Sequence, residues 1–176
     1  LDLIYFRREK EFEMTRDIEI YEEEGVVLYK CRYPENIMKI DFFNTCNGMD
    51  PRAINHGVYM IELLEKKESV CLYIGESVWI ASRCGVHLYS LYENPNYFGL
   101  TKEDIDNDEF TLKFSVIDSL NEKKSVLGVG QYKNLELDAI RRNKPLTQLE
   151  TSDRQIRDVQ EKIKRVQDEL LKKGFK

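Results

Sequence analysis

Two apolar runs that lie only a few residues apart constrain the fold of this chain more than any other feature. Residues 57–64 and 70–75 are rich in strand-forming side chains, and residues 66–68 between them have the composition of a turn. Because so short a connection cannot carry a crossover, the two strands are expected to pair antiparallel. Residues 110–116 alternate apolar and polar side chains, which indicates a third, half-buried strand.

Helices are predicted before and after this third strand. Apolar residues between Val78 and Leu91 recur mostly at helical spacing. Thr101, with Asp104 three residues later, marks a helix start, and a last helix around residues 135–140 ends before Pro145. The sequence therefore predicts an α/β (α+β) fold with a small, mainly antiparallel, three-stranded sheet flanked by helices.

An extension precedes this unit, and the predicted boundaries of the three regions are 1–55, 56–149 and 150–176. Within the first region, residues 18–21 and 26–32 are rich in strand formers and flank a Glu-rich turn that ends at a glycine. This pattern predicts an N-terminal β-hairpin.

The third region is predicted to be one helix from about residue 152 to 173. Ser152, with Gln155 three residues later, forms a capping-box pattern at its start. Apolar residues then repeat at spacings of three and four, which is typical of a heptad seam. These residues are Ile156, Val159, Ile163, Val166 and Leu170. Two interpretations stay open: the helix docks on its own chain, or it forms a short homodimer contact.

The charge distribution is uneven along the chain. The 32 acidic residues outnumber the 27 basic ones, giving a formal net charge of -5. An acidic balance counts against a nucleic-acid partner, because proteins that contact phosphates usually carry a basic surface. Between residues 121 and 148 the balance reverses, since six basic side chains face three acidic ones. A local cationic patch is therefore predicted in this segment.

Several classes of protein are excluded by composition. The four cysteines form no Cys-x-x-Cys pair and the chain has only two histidines, so a structural zinc site is not expected. Free thiols in a reducing cytoplasm are the simpler interpretation. The chain has no apolar run near the roughly 20 residues of a membrane span and no signal peptide, so a cytoplasmic protein without membrane association is expected.

Five residues that can perform phosphodiester chemistry follow one another along the middle region: Tyr59, Tyr73, Arg83, His87 and Glu136. Taken singly, each has an ordinary explanation. Tyrosines are common in half-buried strands, and arginine, histidine and glutamate are common on solvated helix faces. Their order and spacing carry more information than any one of them.

Together these residues resemble the GIY-YIG nuclease family. Residues 57–59 (Gly-Val-Tyr) stand for the first motif, and residues 73–75 (Tyr-Ile-Gly) match the second letter for letter. Arg83 lies eight residues after Gly75, as the family's arginine does, and His87 follows one helical turn later.

The resemblance extends over residues 56–149. Glu136 takes the place of the family's single metal-binding carboxylate, and residues 144–148 resemble the terminal motif, which more often ends in Asn than in Gln148. Two other departures are a slightly longer gap between the tripeptides and an acidic loop at residues 92–109.

Metal-dependent hydrolysis of DNA is the activity that this resemblance implies. One Mg²⁺ or Mn²⁺ ion would be held by Glu136, while the fork of Arg83 binds phosphate oxygens. Tyr59 is expected to act as general base, with Tyr73 and His87 positioning the water or relaying its proton. Since free tyrosine has a pKa near 10, nearby cations are expected to lower the pKa of Tyr59.

Supporting roles follow from the same resemblance. Gly57 and Gly75 are expected to let the backbone approach the site, and Gly75 also to turn the chain from strand into helix. The amide of Gln148 is expected to join a supporting hydrogen-bond network. The predicted contacts to DNA phosphates are Lys133, Arg141, Arg142 and Lys144.

Three functional interpretations remain after this comparison. The preferred one is a restriction-type or mobile-element-like endonuclease. A DNA repair or recombination nuclease is the nearest alternative, and a non-catalytic DNA-binding or assembly module that keeps the fold is the third. Double-strand cutting would need a homodimer on DNA. Sequence specificity is expected in the N-terminal hairpin and in the loop at 92–109.

Overall fold

A mixed sheet with helices on both faces forms the framework of the protein. The computed structural model describes residues 17–23, 26–32, 38–119, 129–149 and 155–176. The strands are β1 (Asp17–Glu23), β2 (Val26–Arg32), β3 (Lys39–Phe42), β4 (Asn44–Thr45), β5 (Gly48–Met49), β6 (Gly57–Glu65), β7 (Glu68–Ser77) and β8 (Phe110–Ser119). The helices are α1 (Ile80–Glu93), α2 (Lys102–Ile105), α3 (Val129–Asn143) and α4 (Val159–Lys173), with 3₁₀ turns at Pro51–Ile54 and Pro95–Phe98.

The sheet is larger than the sequence predicts. Over the described ranges its order is β1-β2-β3-β8-β6-β7, which is six strands rather than three, and β4 and β5 form a separate small hairpin. The pairs β6–β7 and β6–β8 are antiparallel, whereas β3 lies parallel to β8. The predicted N-terminal hairpin of β1 and β2 is present and joins this sheet through β3. The coarse prediction, a mixed α and β fold, is confirmed.

A bulge in the β6–β7 pair decides which side chains of β7 face the main core. Tyr59 lies opposite Gly75 and Ile61 opposite Tyr73, but the next pair joins Glu62 to Cys71. Leu72 is therefore the extra residue. A bulge of this kind re-aims neighbouring side chains. As a result Leu72 and Tyr73, although adjacent, both belong to the main core.

The two faces of the sheet carry different helices. The main core contains residues of β6, β7 and β8 together with α1 and α4, whereas α3 covers the other face through Ala139 and Ile140. Helix α1 buries Ile80, Cys84, His87 and Leu91, as its predicted spacing requires, while Val78 before it is 74% exposed. Among the described residues, no helix combines the length and apolarity needed to cross a membrane.

Helix α4 begins later than predicted. Its N-cap is Asp158, whose side chain accepts a hydrogen bond from the backbone of Glu161 at 3.0 Å. Ser152, the predicted cap, lies outside the described residues. Asp158 and Glu161 repeat the same local capping pattern further along the chain, so the pattern alone could not select the start.

The predicted heptad seam of α4 is used only in part. Val166 and Leu170 are buried in the main core of their own chain, whereas Val159 is 40% exposed. The helix therefore docks on its own sheet through these two residues. Its end is anchored by Gly174, which has a φ of 77°, and by Phe175, whose ring packs edge-on against Phe110.

A short strip of chain after α3 covers the outer edge of β7. The backbone N–H of Leu146 donates to the carbonyl of Cys71 at 3.0 Å, and that of Thr147 to the carbonyl of Leu72 at 3.2 Å. The hydroxyl of Thr147 also donates to the carbonyl of Leu72, at 2.6 Å. This strip satisfies polar groups that an edge strand otherwise exposes, and it joins the end of α3 to the strand that carries Tyr73.

Candidate active site

Two predicted residues and one that was not predicted form a continuous hydrogen-bonded row. The phenol oxygen of Tyr59 lies 2.7 Å from Nε2 of His87, and Nδ1 of the same ring lies 2.9 Å from the phenol oxygen of Tyr97. Tyr59 is 1% exposed and His87 is fully buried. Arg83 lies one turn before His87 on α1, and its charge acts on both Tyr59 and His87.

The protonation state of His87 decides how many hydrogens its ring can donate to the two tyrosines. Burial, with a further contribution from the charge of Arg83, lowers the pKa of His87 to about 3, so the ring is neutral near pH 7. A neutral imidazole donates from one nitrogen and accepts at the other. The two distances fit the tautomer with hydrogen on Nδ1, in which the Tyr59 hydroxyl donates to Nε2 and Nδ1 donates to Tyr97.

The pKa of Tyr59 is shifted in the direction opposite to our expectation. Burial is the largest cause and raises it well above 10, and the neighbouring Tyr73 and Cys84 act in the same direction. Arg83 opposes this shift but is outweighed. The phenol therefore keeps its proton in the resting protein, and a free phenolate at residue 59 is excluded near neutral pH.

Tyr73 lies beside this row and is the more accessible of the two predicted tyrosines. Its ring centroid is 4.8 Å from that of His87 and 6.1 Å from that of Tyr59, and 8% of the residue is exposed. Burial raises the pKa of Tyr73, a hydrogen bond with Gln155 and the charge of Arg83 lower it, and the charge of Glu136 raises it. Tyr73 therefore lies in the fields of both predicted charged site residues.

Arg83 supplies the accessible positive charge of the site. Arg83 is exposed to solvent. Its guanidinium is nevertheless close enough to Tyr59, Tyr73 and Tyr97 for each of them to influence its pKa. An exposed guanidinium beside a row of buried phenols is free to bind an anion through its planar fork.

Glu136 lies on α3, which covers the other face of the sheet, and is half-buried; its charge raises the pKa of Tyr73. The described part of the chain holds no ready group of three His, Cys, Asp or Glu side chains for a metal. A hard cation such as Mg²⁺ takes one or two carboxylates and completes its shell with water and substrate oxygens. Glu136 is the residue that would hold such an ion here.

The two predicted glycines are both needed for space. A Cβ on Gly75 would lie 2.6 Å from Cζ of Tyr59 and 2.8 Å from Cε1 of Tyr73, and one on Gly57 would lie 2.7 Å from Cα of Ser119. The prediction that Gly75 turns the chain into the helix is wrong. It lies inside β7, which continues to Ser77, and α1 begins only at Ile80.

Gln148 is buried and supports the strand of Tyr73 directly. Its Oε1 accepts from the backbone N–H of Ile74 at 2.8 Å, and its Nε2 donates to the carbonyl of the same residue at 2.7 Å. Both backbone groups of Ile74 on the sheet edge are thereby satisfied. A side-chain amide is required for this pair of hydrogen bonds, since one of its atoms must accept and the other donate.

The predicted phosphate contacts are exposed side chains on or just after α3: Lys133, Arg141, Arg142 and Lys144. Arg141 lies 3.7 Å from Asp138, and Nε of Arg142 donates to the backbone carbonyl of Asp138 at 3.3 Å. Lys133 precedes Glu136 by one helical turn. The other two lysines of the predicted patch, at positions 123 and 124, lie outside the described residues.

Sequence reasoning missed two residues of the site, Tyr97 and Gln155. Tyr97 belongs to the 3₁₀ turn of the 92–109 loop, and Gln155 precedes α4 and forms an isolated bridge with Gln148. Both reach the site through tertiary contacts, so no local periodicity could indicate them. The only signal near Tyr97 was an Asn-Pro turn followed by two aromatic residues.

Comparisons with models of protein families, with curated proteins and with solved structures found no match for this chain. The function is therefore inferred from the site itself.

Proposed function

We propose that the protein is a metal-dependent DNA endonuclease of the GIY-YIG type, acting on DNA in the cytoplasm. The observation that carries this proposal is the convergence of four side chains from β6, β7 and α1: Tyr59, Tyr73, Arg83 and His87. Glu136 on α3 acts on Tyr73 from the opposite face of the sheet. Two phenols, a guanidinium, an imidazole and a carboxylate fit phosphodiester hydrolysis better than a purely structural core, which apolar side chains would fill at lower cost.

Arg83 is assigned to the phosphate. Hydrolysis accumulates negative charge on the phosphate oxygens, and a guanidinium that is already in place stabilises this charge without rearranging. Mg²⁺ or Mn²⁺ held by Glu136 would supply further charge stabilisation, and assistance to the leaving oxygen, when bound. Lys133, Arg141, Arg142 and Lys144 are assigned to neighbouring phosphates.

The hydrogen-bonded row supports a general base that needs no free phenolate. The Tyr59 oxygen can accept a proton from water while its own proton passes to Nε2 of His87, which is neutral and holds a lone pair in that direction. The charge of Arg83 contributes to the low pKa of His87. A phosphate bound to Arg83 would offset that charge and make His87 a better acceptor when substrate is present.

Plasmid cleavage with Mg²⁺ tests the proposal. The wild-type protein is expected to cut, and Glu136→Gln to lose at least about a hundredfold in rate, because the ion loses its protein ligand. Glu109→Gln, at an exposed carboxylate after α2, is the matched control and is expected to cut like the wild type. Equal cutting by Glu136→Gln would contradict the metal assignment. Binding of DNA by the wild type without any cutting would favour the non-catalytic module.

The tyrosine roles are tested by a second pair of variants. Tyr59→Phe removes the hydroxyl that donates to His87 and is expected to lose most activity while DNA binding persists. Tyr73→Phe, which leaves the Tyr59–His87 bond in place, is expected to retain more activity. An inactive Tyr73→Phe beside an active Tyr59→Phe would reverse the two roles.

A further inference from the structure

We propose that Lys162 on α4 is a positioning residue of the active site. It holds the loop that carries Tyr97, and Tyr97 holds the ring of His87 beneath Tyr59. The consequence for catalysis rests on the proposed nuclease function, whereas the consequence for the ring of His87 does not.

The first contact on which this proposal rests joins Lys162 to Tyr97. Nζ of Lys162 donates to the backbone carbonyl of Tyr97 at 3.0 Å and lies 5.7 Å from the centroid of the Tyr97 ring. A single side chain thus holds both the backbone and the ring of this residue, through a charge-assisted hydrogen bond and a cation–π contact.

Two more contacts clamp the same loop against α4. Gly99 has a φ of 74°, and a Cβ there would lie 2.7 Å from both the carbonyl oxygen of Lys162 and Cγ2 of Val166. Asp104 accepts a hydrogen bond from Nε2 of Gln167 at 2.6 Å. The loop is therefore fixed on α4 at three points, and α4 is itself anchored in the main core.

The second contact on which the proposal rests is the hydrogen bond of 2.9 Å between the Tyr97 hydroxyl and Nδ1 of His87. A histidine ring in a catalytic site needs such a partner on its second nitrogen, because that partner selects the tautomer and the ring orientation. With Nδ1 donating to Tyr97, Nε2 is left as the acceptor for the Tyr59 hydroxyl. Displacing Tyr97 would leave this choice open.

Burying a lysine between two elements costs free energy, because its charge loses hydration. Lys162 is 7% exposed, and burial lowers its pKa because the charged form loses hydration. A methionine would occupy similar space without that cost. Stability and activity are therefore expected to respond differently when the charge is removed, and this separates a positioning role from a structural one.

The test compares Lys162→Met with Lys164→Met, which changes an exposed lysine on the same helix. Lys162→Met is expected to unfold at the same or a higher urea concentration than the wild type. Its kcat for plasmid cleavage is expected to fall roughly tenfold to a hundredfold, with KM nearly unchanged. Lys164→Met is expected to match the wild type in both. Wild-type kcat in Lys162→Met would overturn the proposal.

A readout that does not depend on cleavage keeps the inference separate from the proposed function. The chain has two histidines, so in the background His56→Gln the ¹⁵N spectrum of histidine rings reports His87 alone. One neutral tautomer with hydrogen on Nδ1 is expected, becoming a mixture in Lys162→Met and in Tyr97→Phe. An unchanged spectrum in both variants would overturn the proposal even if the protein cuts DNA. If the wild type does not cut, the nuclease proposal fails and this spectrum still decides the present one.

Discussion

Gly75 has no room for a side chain, because the rings of Tyr59 and Tyr73 occupy the space where a Cβ would lie. The requirement is one of packing, since the residue has ordinary extended backbone within β7. Gly85 on α1 differs, because nothing lies within 4 Å of a Cβ built there. The two positions therefore make a matched pair.

Gly75→Ala is expected to lower the free energy of unfolding by about 2 kcal/mol and to displace the tyrosine rings, with loss of cleavage activity. Gly85→Ala is expected to raise the free energy of unfolding by about 0.5–1 kcal/mol, because alanine favours a helix interior. Urea unfolding of both variants measures the contrast. Equal effects would show that the rings can move aside at no cost.

His87 is expected to make the free energy of unfolding depend on pH. Its pKa in the folded protein is about 3, against 6.5 when exposed, so the unfolded chain binds a proton that the folded one refuses. Stability from this group is therefore complete above pH 6.5 and is lost as the pH falls towards 3. The total is on the order of 5 kcal/mol.

Carboxylates titrate in the same pH range. The informative quantity is therefore the difference in the free energy of unfolding between the wild type and His87→Gln. The wild type is expected to lose stability faster than the variant between about pH 6.5 and 4, by roughly 1 kcal/mol per pH unit. Urea unfolding at several pH values measures the two slopes. Parallel slopes would mean that His87 is accessible to protons in the folded state. The groups that face its ring are Tyr59, Tyr73, Tyr97 and Arg83.

At the scale of elements, α4 is a packed part of the fold rather than an appendage. Adjacent residues provide the test, since Leu170 is 4% exposed in the main core and Leu171 is 74% exposed. Leu170→Ala is expected to lower the free energy of unfolding by about 2–4 kcal/mol, and Leu171→Ala to change it by less than about 0.5 kcal/mol. A larger effect at Leu171, dependent on protein concentration, would instead support the predicted homodimer contact.

The elements that could be predicted from sequence are those with long, repeated patterns. Strands β6, β7 and β8 have nine or ten residues each, and α1 repeats its apolar residues over 14 residues. Strand β3 has only four residues, too few for alternation to be distinguished from chance, so its parallel pairing with β8 was missed. The start of α4 was missed because two capping patterns compete.

For the candidate site, the sequence predicted which side chains lie close together better than it predicted their pKa values. Motif order placed Tyr59, Tyr73, Arg83 and His87 together, and the fold brings them into contact. The direction of the Tyr59 pKa shift depends on burial, which spacing along the chain does not reveal. Tyr97 was missed because it enters the site from a loop whose position depends on tertiary contacts with α1 and α4.

At the scale of the whole molecule, the distribution of charge is more relevant to the proposed binding of DNA than the net charge is. The chain carries a net charge of -5, yet the exposed side of α3 offers several cations near Glu136. DNA affinity from such contacts depends on released counterions, so each phosphate contact adds to the salt dependence.

Changing Arg142 and Lys144 together to Gln is expected to weaken DNA binding and to lower the slope of log K against log salt by about 1–2. Lys164→Gln, on α4, is the matched control and is expected to leave the slope unchanged. Fluorescence anisotropy of a labelled duplex between about 50 and 200 mM salt measures both, in the Glu136→Gln background to prevent cutting. An unchanged slope would place the DNA on another surface.

The strip that covers the edge of β7 has a consequence for how the chain can vary in length. Glu136 and Gln148 are twelve positions apart, and Gln148 is bound to the residue that follows Tyr73. The intervening chain therefore runs from α3, which packs on the sheet through Ala139 and Ile140, to the outer edge of β7. Insertions or deletions between these two anchors are expected to strain one of them, whereas the exposed turn at Lys66 and Lys67 lies outside this span.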